Sequence, residues 1–226
     1  MSKEEIIKLR EDLSDYVYHF TKGKDAKETL KIIVSDKKIK DVMKKGYICF
    51  SESPLTMLAP MFNYFEQFEN PLYAPYGIGV KKDVIYKLGG RPVFYVDREE
   101  IRIIPNQLRW KSVCYDPNSY DFSWLREWRL PHESLDLTFN DCFIVVKANG
   151  DISDIQGILE LDDIDIDAQP EDGGILTEYT GHFTRYFKVI SLEELSTISQ
   201  MNKKQLLCAL DGQSNQERHY LGSTWK

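Results

Sequence analysis

Little in this sequence points to metals, disulfides or membranes. Of 226 residues, four are cysteine and four are histidine. Cys49, Cys114, Cys142 and Cys208 are far apart, with no CxxC pair and no histidine at zinc-ligand spacing, so neither a metal site nor a disulfide framework is expected. They read as buried, reduced thiols. No apolar run reaches the length of a membrane span, and the opening MSKEEIIKLREDL has no apolar h-region, so the expected location is the cytoplasm. Cations are also in deficit. Lys+Arg 29 against Asp+Glu 36 gives a net charge of -7, which argues against a general electrostatic grip on nucleic acid while leaving room for a local basic groove. Internal repeats, low-complexity tracts and an obvious linker are missing as well.

What is present is enough for a packed core: 42% of residues are hydrophobic and 12% aromatic. The pattern predicts a single α+β domain over 1–210, a mixed sheet with flanking helices, followed by a polar tail over 211–226. Ile6, Ile7, Leu9 and Leu13 have helical spacing, and YVYHFT, Tyr16 to Thr21, then switches to strand character. Leu30, Ile33 and Val34 predict a helix over 26–36, and the lysine-rich 37–45 reads as a solvated face and turn. YICF, Tyr47 to Phe50, is a short strand running into polar Ser51, Glu52 and Ser53 and stopping at Pro54. Thr56 to Tyr73, rich in Met, Phe and Tyr, suits a helix covering the sheet or a lid, with Pro60 and Pro71 as interruptions.

In YGIGVKK the two glycines signal a tight turn or a close backbone approach, and alone say no more. Asp83 to Leu88 predicts a helical turn ended by Gly89 and Gly90, and RPVFYV from Arg91 a strand with proline at its start. Part of 98–114 has helical character. Cys142 to Val146 has the composition of a fully buried strand. The acidic stretch Asp151 to Gly174 is an edge strand or a loop; it does not meet the EF-hand pattern. GHFTRYFKVI, Gly181 to Ile190, predicts a last strand, and Ser191 with Glu194 three residues on predicts a capped terminal helix to Ala209.

One segment is chemically odd. YDFSWLREWRLP, Tyr120 to Pro131, has strand propensity yet places Glu127 among two tryptophans and two arginines, and a carboxylate in a half-buried strand is costly unless paired. Arg126 and Arg129 can pair with it, so a structural ion-pair cluster and a functional carboxylate are both open from this segment alone.

Three strand motifs in order, HFT at His19, CFSESPL at Cys49 and REWR at Arg126, together with YGIG between them, resemble the AbiGi-type abortive-infection proteins of phage resistance and toxin–antitoxin systems. More distantly they resemble the ADP-ribosyltransferase superfamily, including DarT-like toxins. The resemblance covers roughly Tyr16 to Leu130. It implies an ADP-ribosyltransferase-like sheet core and an enzyme that splits the nicotinamide–ribose bond of NAD, its substrate, and passes ADP-ribose to a macromolecular acceptor: protein, DNA or RNA. That chemistry develops an oxocarbenium-like cation, so a fixed carboxylate is required, and Glu127 holds the matching position.

By the same resemblance His19 would hydrogen-bond a ribose hydroxyl, with Phe20 and Thr21 beside it helping the dinucleotide dock, and Ser51 would support the ribose and the glutamate. Phe50 and Tyr76 are candidates for stacking on nicotinamide or adenine. DarT-like proteins carry an arginine before the Ser-Pro of the second motif, where this chain has Glu52, so Arg91, Arg126 or Arg129 would have to meet the phosphates. The resemblance also implies a cognate antitoxin protein. Competing readings are a catalytically silent antitoxin or regulatory partner and an NAD glycohydrolase that transfers to water. A metal-dependent nuclease stands last, because no acidic cluster has metal-site spacing.

Overall fold

The computed structural model describes residues 13–116, 118, 121–156, 162–166, 179–183, 187–200 and 204–205. The expected helix around Ile6 to Leu9, the end of the terminal helix at Ala209, Cys208 and the 211–226 tail lie outside them. In chain order the first elements are β1 (Tyr16–Phe20), α1 (Ala26–Ser35), β2 (Lys38–Lys40), β3 (Ile48–Ser51), α2 (Leu55–Phe65), β4 (Gly77–Lys81) and α3 (Lys82–Lys87). Then come β5 (Arg91–Pro92), β6 (Phe94–Val96), α4 (Arg98–Ile103), β7 (Ser112–Cys114), β8 (Glu127–Leu130) and β9 (Ser134–Asp136). The last are β10 (Cys142–Val146), α5 (Gly150–Gln156), β11 (Asp162–Ile166), β12 (Tyr179–Phe183), β13 (Lys188–Ser191) and α6 (Leu192–Gln200).

Seven strands form one mixed sheet in the order β13-β10-β4-β1-β3-β8-β5, within a single compact α+β domain. Only β10 and β13 run parallel; the other neighbours are antiparallel. The sheet is two ladders with a narrow joint: β1 pairs with β4 over five positions but with β3 at one, Tyr18↔Ser51.

Alternation along each strand sends side chains to two cores. Val17, Ile48, Phe50, Ile78, Val80, Trp128, Leu130 and Ile144 face one side, where Leu30 and Val34 of α1, Ile85 of α3 and Ile155 of α5 cover them. Tyr18, Phe143 and Val145 face the other, under Leu55, Leu58 and Phe62 of α2 and Leu192 of α6. The glycines of β4 are spacing residues. A β-carbon at Gly77 would lie 2.6 Å from the His19 carbonyl, and one at Gly79 would lie 2.5 Å from the Phe143 ring. Close approach, not a turn, is the reason for GxG here.

Several sequence expectations need correction. Lys37 to Lys45 is not only a solvated turn: Lys38–Lys40 is β2, paired with β9, because Ile39 is fully buried between half-buried Lys38 and exposed Lys40. Strand β3 is Ile48–Ser51, one residue later than expected, since Ser51 pairs with Glu127. Pro60 lies inside α2; the carbonyl it leaves without an N–H partner belongs to exposed Thr56, where water can serve. RPVFYV is two strands, β5 beside β8 and β6 beside β7, split at Val93. Of the segment Tyr120 to Pro131, the described residues 121–131 are strand only from Glu127 to Leu130; Ser123–Leu125 is a 3-10 turn. Gly181 to Ile190 is likewise divided between β12 and β13, and the acidic stretch begins as helix α5 before β11. The Ser191 cap is formed, its Oγ accepting the Glu194 N–H at 3.0 Å. Cys142 is buried, while Cys49 and Cys114 are half-buried free thiols.

Candidate functional site

At one end of β3 and β8, Ser51 and Glu127 are direct partners in the register. A clamp sets that geometry. Ser51 Oγ donates to the Leu125 carbonyl at 2.6 Å and accepts the Ser53 N–H at 3.2 Å. The Glu52 N–H reaches the carbonyls of Leu125 and Arg126, and Ser53 Oγ donates to the Trp124 carbonyl. The clamp holds Arg126 at φ 48°, a left-handed conformation costing a non-glycine residue about 1 kcal/mol, and so fixes the direction in which β8 starts.

Trp128 and Leu130 belong to the first core, so alternation puts Glu127 and Arg129 on the opposite face with Tyr47, Cys49 and Ser51 of the neighbouring chain. The Glu127 carboxylate, 14% exposed, accepts from Arg129 Nε at 2.7 Å. Arg129 is itself fixed: its other bonds run to the carbonyls of Trp110 at 2.8 Å and Ser112 at 3.0 Å, and its guanidinium lies 4.4 Å from the Tyr47 ring centre. Burial, and then the negative charge and hydrogen bond of Glu127, push the Cys49 thiol up to about 12, so it is a neutral S–H donor beside the carboxylate. Burial and the same charge raise Tyr73. The result is one carboxylate in a low-water setting of fixed donors and tyrosines, suited to stabilising positive charge next to it.

His19 is not on this face. It shares the Val17 side of β1 and meets Phe50 edge-on, ring centres 5.9 Å apart. Its Nδ1 lies 2.9 Å from the Cys49 carbonyl, which can only accept, so Nδ1 carries the proton and Nε2 is an acceptor. Burial, with Lys22 adding to it and the Cys49 bond opposing, lowers its pKa below the ordinary 6.5, and the ring is neutral at neutral pH. Phe50 is a core side chain, 3% exposed. Phe20 packs edge-on to Phe62 in the second core. Thr21 Oγ1 bonds the carbonyls of Ala26 and Tyr76, and the Tyr76 hydroxyl donates to Asp151 at 3.2 Å. The structure therefore brings Ser51, Glu127 and Arg129 together, and gathers Thr21 and Tyr76 at the far end of β1.

Glu52, on the opposite face from Glu127, accepts from Lys82 Nζ and Trp128 Nε1, each at 2.7 Å. Beside this trio opens a cavity of about 700 Å³ lined by Tyr16, Lys81, Lys82, Tyr86 and Trp128 with Asp15 and Asp83. Arg91, one candidate for a phosphate contact, bonds the carbonyls of Tyr86 and Gly90. Sequence reasoning missed Tyr47, Cys49 and Tyr73 around the carboxylate and Lys82 beside Glu52. Period-two alternation along 47–51 was the available signal for the first two; no local signal brings Tyr73 or Lys82 there. No group of side chains suited to a metal ion occurs among the described residues, and no helix among them is long and apolar enough to cross a membrane. No family model matches the sequence, and no curated protein or solved structure matches it either.

Proposed function

We propose that this chain is an NAD-dependent mono-ADP-ribosyltransferase, the toxic arm of an anti-phage or toxin–antitoxin system, built on an ADP-ribosyltransferase-like sheet core with Glu127 as its catalytic carboxylate. The observation that carries this reading is the direct pairing of Ser51 with Glu127 on one sheet face, where the clamp holds the carboxylate in place. In the proposed reaction the nicotinamide–ribose bond breaks, nicotinamide leaves with the bonding electron pair, and Glu127 stabilises the cation left on the ribose. An acceptor nucleophile then attacks the anomeric carbon and releases its proton to the carboxylate or to water. Ser51 acts here as a positioning residue, because its hydroxyl is bonded to Leu125.

The test is incubation of the purified chain with adenylate-labelled NAD in a lysate, with portions treated by protease or by nuclease. Retained label removed by one treatment identifies the acceptor class, and Glu127→Gln is expected to slow nicotinamide release by about 100-fold. Wild-type consumption of NAD by Glu127→Gln rules the role out. Free ADP-ribose without labelled acceptor means a glycohydrolase. A second reading is favoured by the Glu127–Arg129 pair and by His19 on the opposite face: a catalytically silent antitoxin or regulatory partner of the same fold. It expects intact NAD beside an active control enzyme.

A further inference from the structure

An aromatic series runs outward from the Glu127 face. Trp124, three residues before the carboxylate, meets Tyr73 edge-on at 5.7 Å between ring centres, and Tyr73 meets Phe65 at 5.5 Å. Phe65 in turn contacts Tyr64 at 5.6 Å and Phe68 at 6.5 Å. The outer members are open to solvent: Tyr64 is 53% exposed and Phe68 50%; Met57, two turns before Tyr64 on the same side of α2, is 69% exposed, and Leu72, next in the chain to Tyr73, 45%. Large exposed side chains gathered in this way mark an interaction surface, and Tyr, Phe and Met are the types enriched at protein interfaces.

Charge selects the occupant. From Ser53 to Val80 the chain contains no lysine, arginine or histidine, and its charged residues are Glu66 and Glu69. Glu66 is paired with Lys147 from the end of β10 at 2.7 Å, so that cation is already engaged and Glu69 carries the remaining charge of the stretch. A nucleic-acid backbone would find no cation within the stretch itself. A second copy docked through the same patch would bring the two Glu69 side chains toward each other with no cation of the stretch to offset them, a like-charge arrangement that costs affinity. We infer that the surface of Met57, Tyr64, Phe68 and Leu72 docks a protein segment whose apolar anchors are flanked by lysine or arginine. This inference does not depend on the transferase reading; if that reading holds, the segment lies on the path to Glu127.

The probe is a synthetic amphipathic helical peptide with leucine and phenylalanine on one face and lysine on the other. Its controls are the same peptide with glutamate for lysine and a single-stranded oligonucleotide. Fluorescence anisotropy is expected to show the lysine peptide binding the full chain about tenfold or more tightly than either control. The exposed triple variant Met57→Ser/Tyr64→Ser/Phe68→Ser should lose that binding by a similar factor while keeping the wild-type circular dichroism spectrum. Equal binding of the acidic peptide or of the oligonucleotide overturns the inference. So does undiminished binding by the triple variant. Sedimentation of the peptide-free chain as a dimer that the variant turns into a monomer would give the surface to a second copy instead, which also overturns it.

Discussion

Glu52 and Glu127 sit at the same end of neighbouring strands on opposite faces of the sheet, and they are nearly equally sheltered, at 13% and 14% exposure. Each has a cation at 2.7 Å. They differ in what else holds them. Both Glu52 oxygens are taken, one by Lys82 and one by the Trp128 indole N–H, which makes it a joint between β3, α3 and β8. Glu127 accepts one strong donor, Arg129, and that arginine has independent anchors in two carbonyls and the Tyr47 ring. Burial alone therefore does not tell a carboxylate that ties elements together from one that does not; the number of partners that depend on it does.

The largest expected effect tests that difference. Glu52→Ala strands the Lys82 charge and the Trp128 N–H, and should lower stability by about 3 kcal/mol in urea unfolding. Glu127→Gln should cost less, about 1 kcal/mol in the same measurement, because the glutamine oxygen can still accept from Arg129 Nε and Arg129 keeps its two carbonyls. Equal losses would break the comparison.

The sequence made half of this contrast visible. Glu127 stood out as a charge in an aromatic strand, and the strand order HFT, CFSESPL and REWR survives as β1, β3 and β8 side by side. Glu52 was read as an arginine lost from a phosphate site, whereas its partners Lys82 and Trp128 come from 30 and 76 residues away and could not be seen locally. The face occupied by His19 was hidden for a related reason. It depends on the β1–β3 register, which a single pair defines, and a slip of one residue moves every side chain to the other side. The corrected strands failed by length: Phe94–Val96 and Glu127–Leu130 are too short for period-two patterning to set their limits.

A middle-sized effect sharpens the role of the clamp. Ser51→Ala removes the bond to Leu125 and leaves the Ser53 N–H without its acceptor, at an expected cost of about 1 to 2 kcal/mol in urea unfolding. If Ser51 acts on chemistry only through position, nicotinamide release should fall in kcat with little change in KM, and Ser51→Thr should restore part of it. An unchanged kcat would separate the clamp from Glu127.

The smallest effect concerns the face without Glu127. His19 has its pKa lowered in the folded chain, so the unfolded chain binds the extra proton first as pH falls. Stability from this residue is full above the unfolded value near 6.5, and is lost progressively as pH drops below it toward the folded pKa. His19→Gln keeps an N–H for the Cys49 carbonyl but cannot titrate, and should flatten stability against pH below about 6.5. The same slope in both proteins would mean that His19 titrates normally.

The single Tyr18↔Ser51 rung has a mechanical meaning. A four-strand panel and a three-strand panel meet along a seam with almost no backbone stitching, and the His19–Cys49 bond is a strut across it. Load applied across the strands concentrates on that strut and on the Glu52–Lys82 pair, which ties the β8 panel to the helix that follows β4. Under tension the sheet should part there, leaving Glu52 and Glu127 together on the smaller panel.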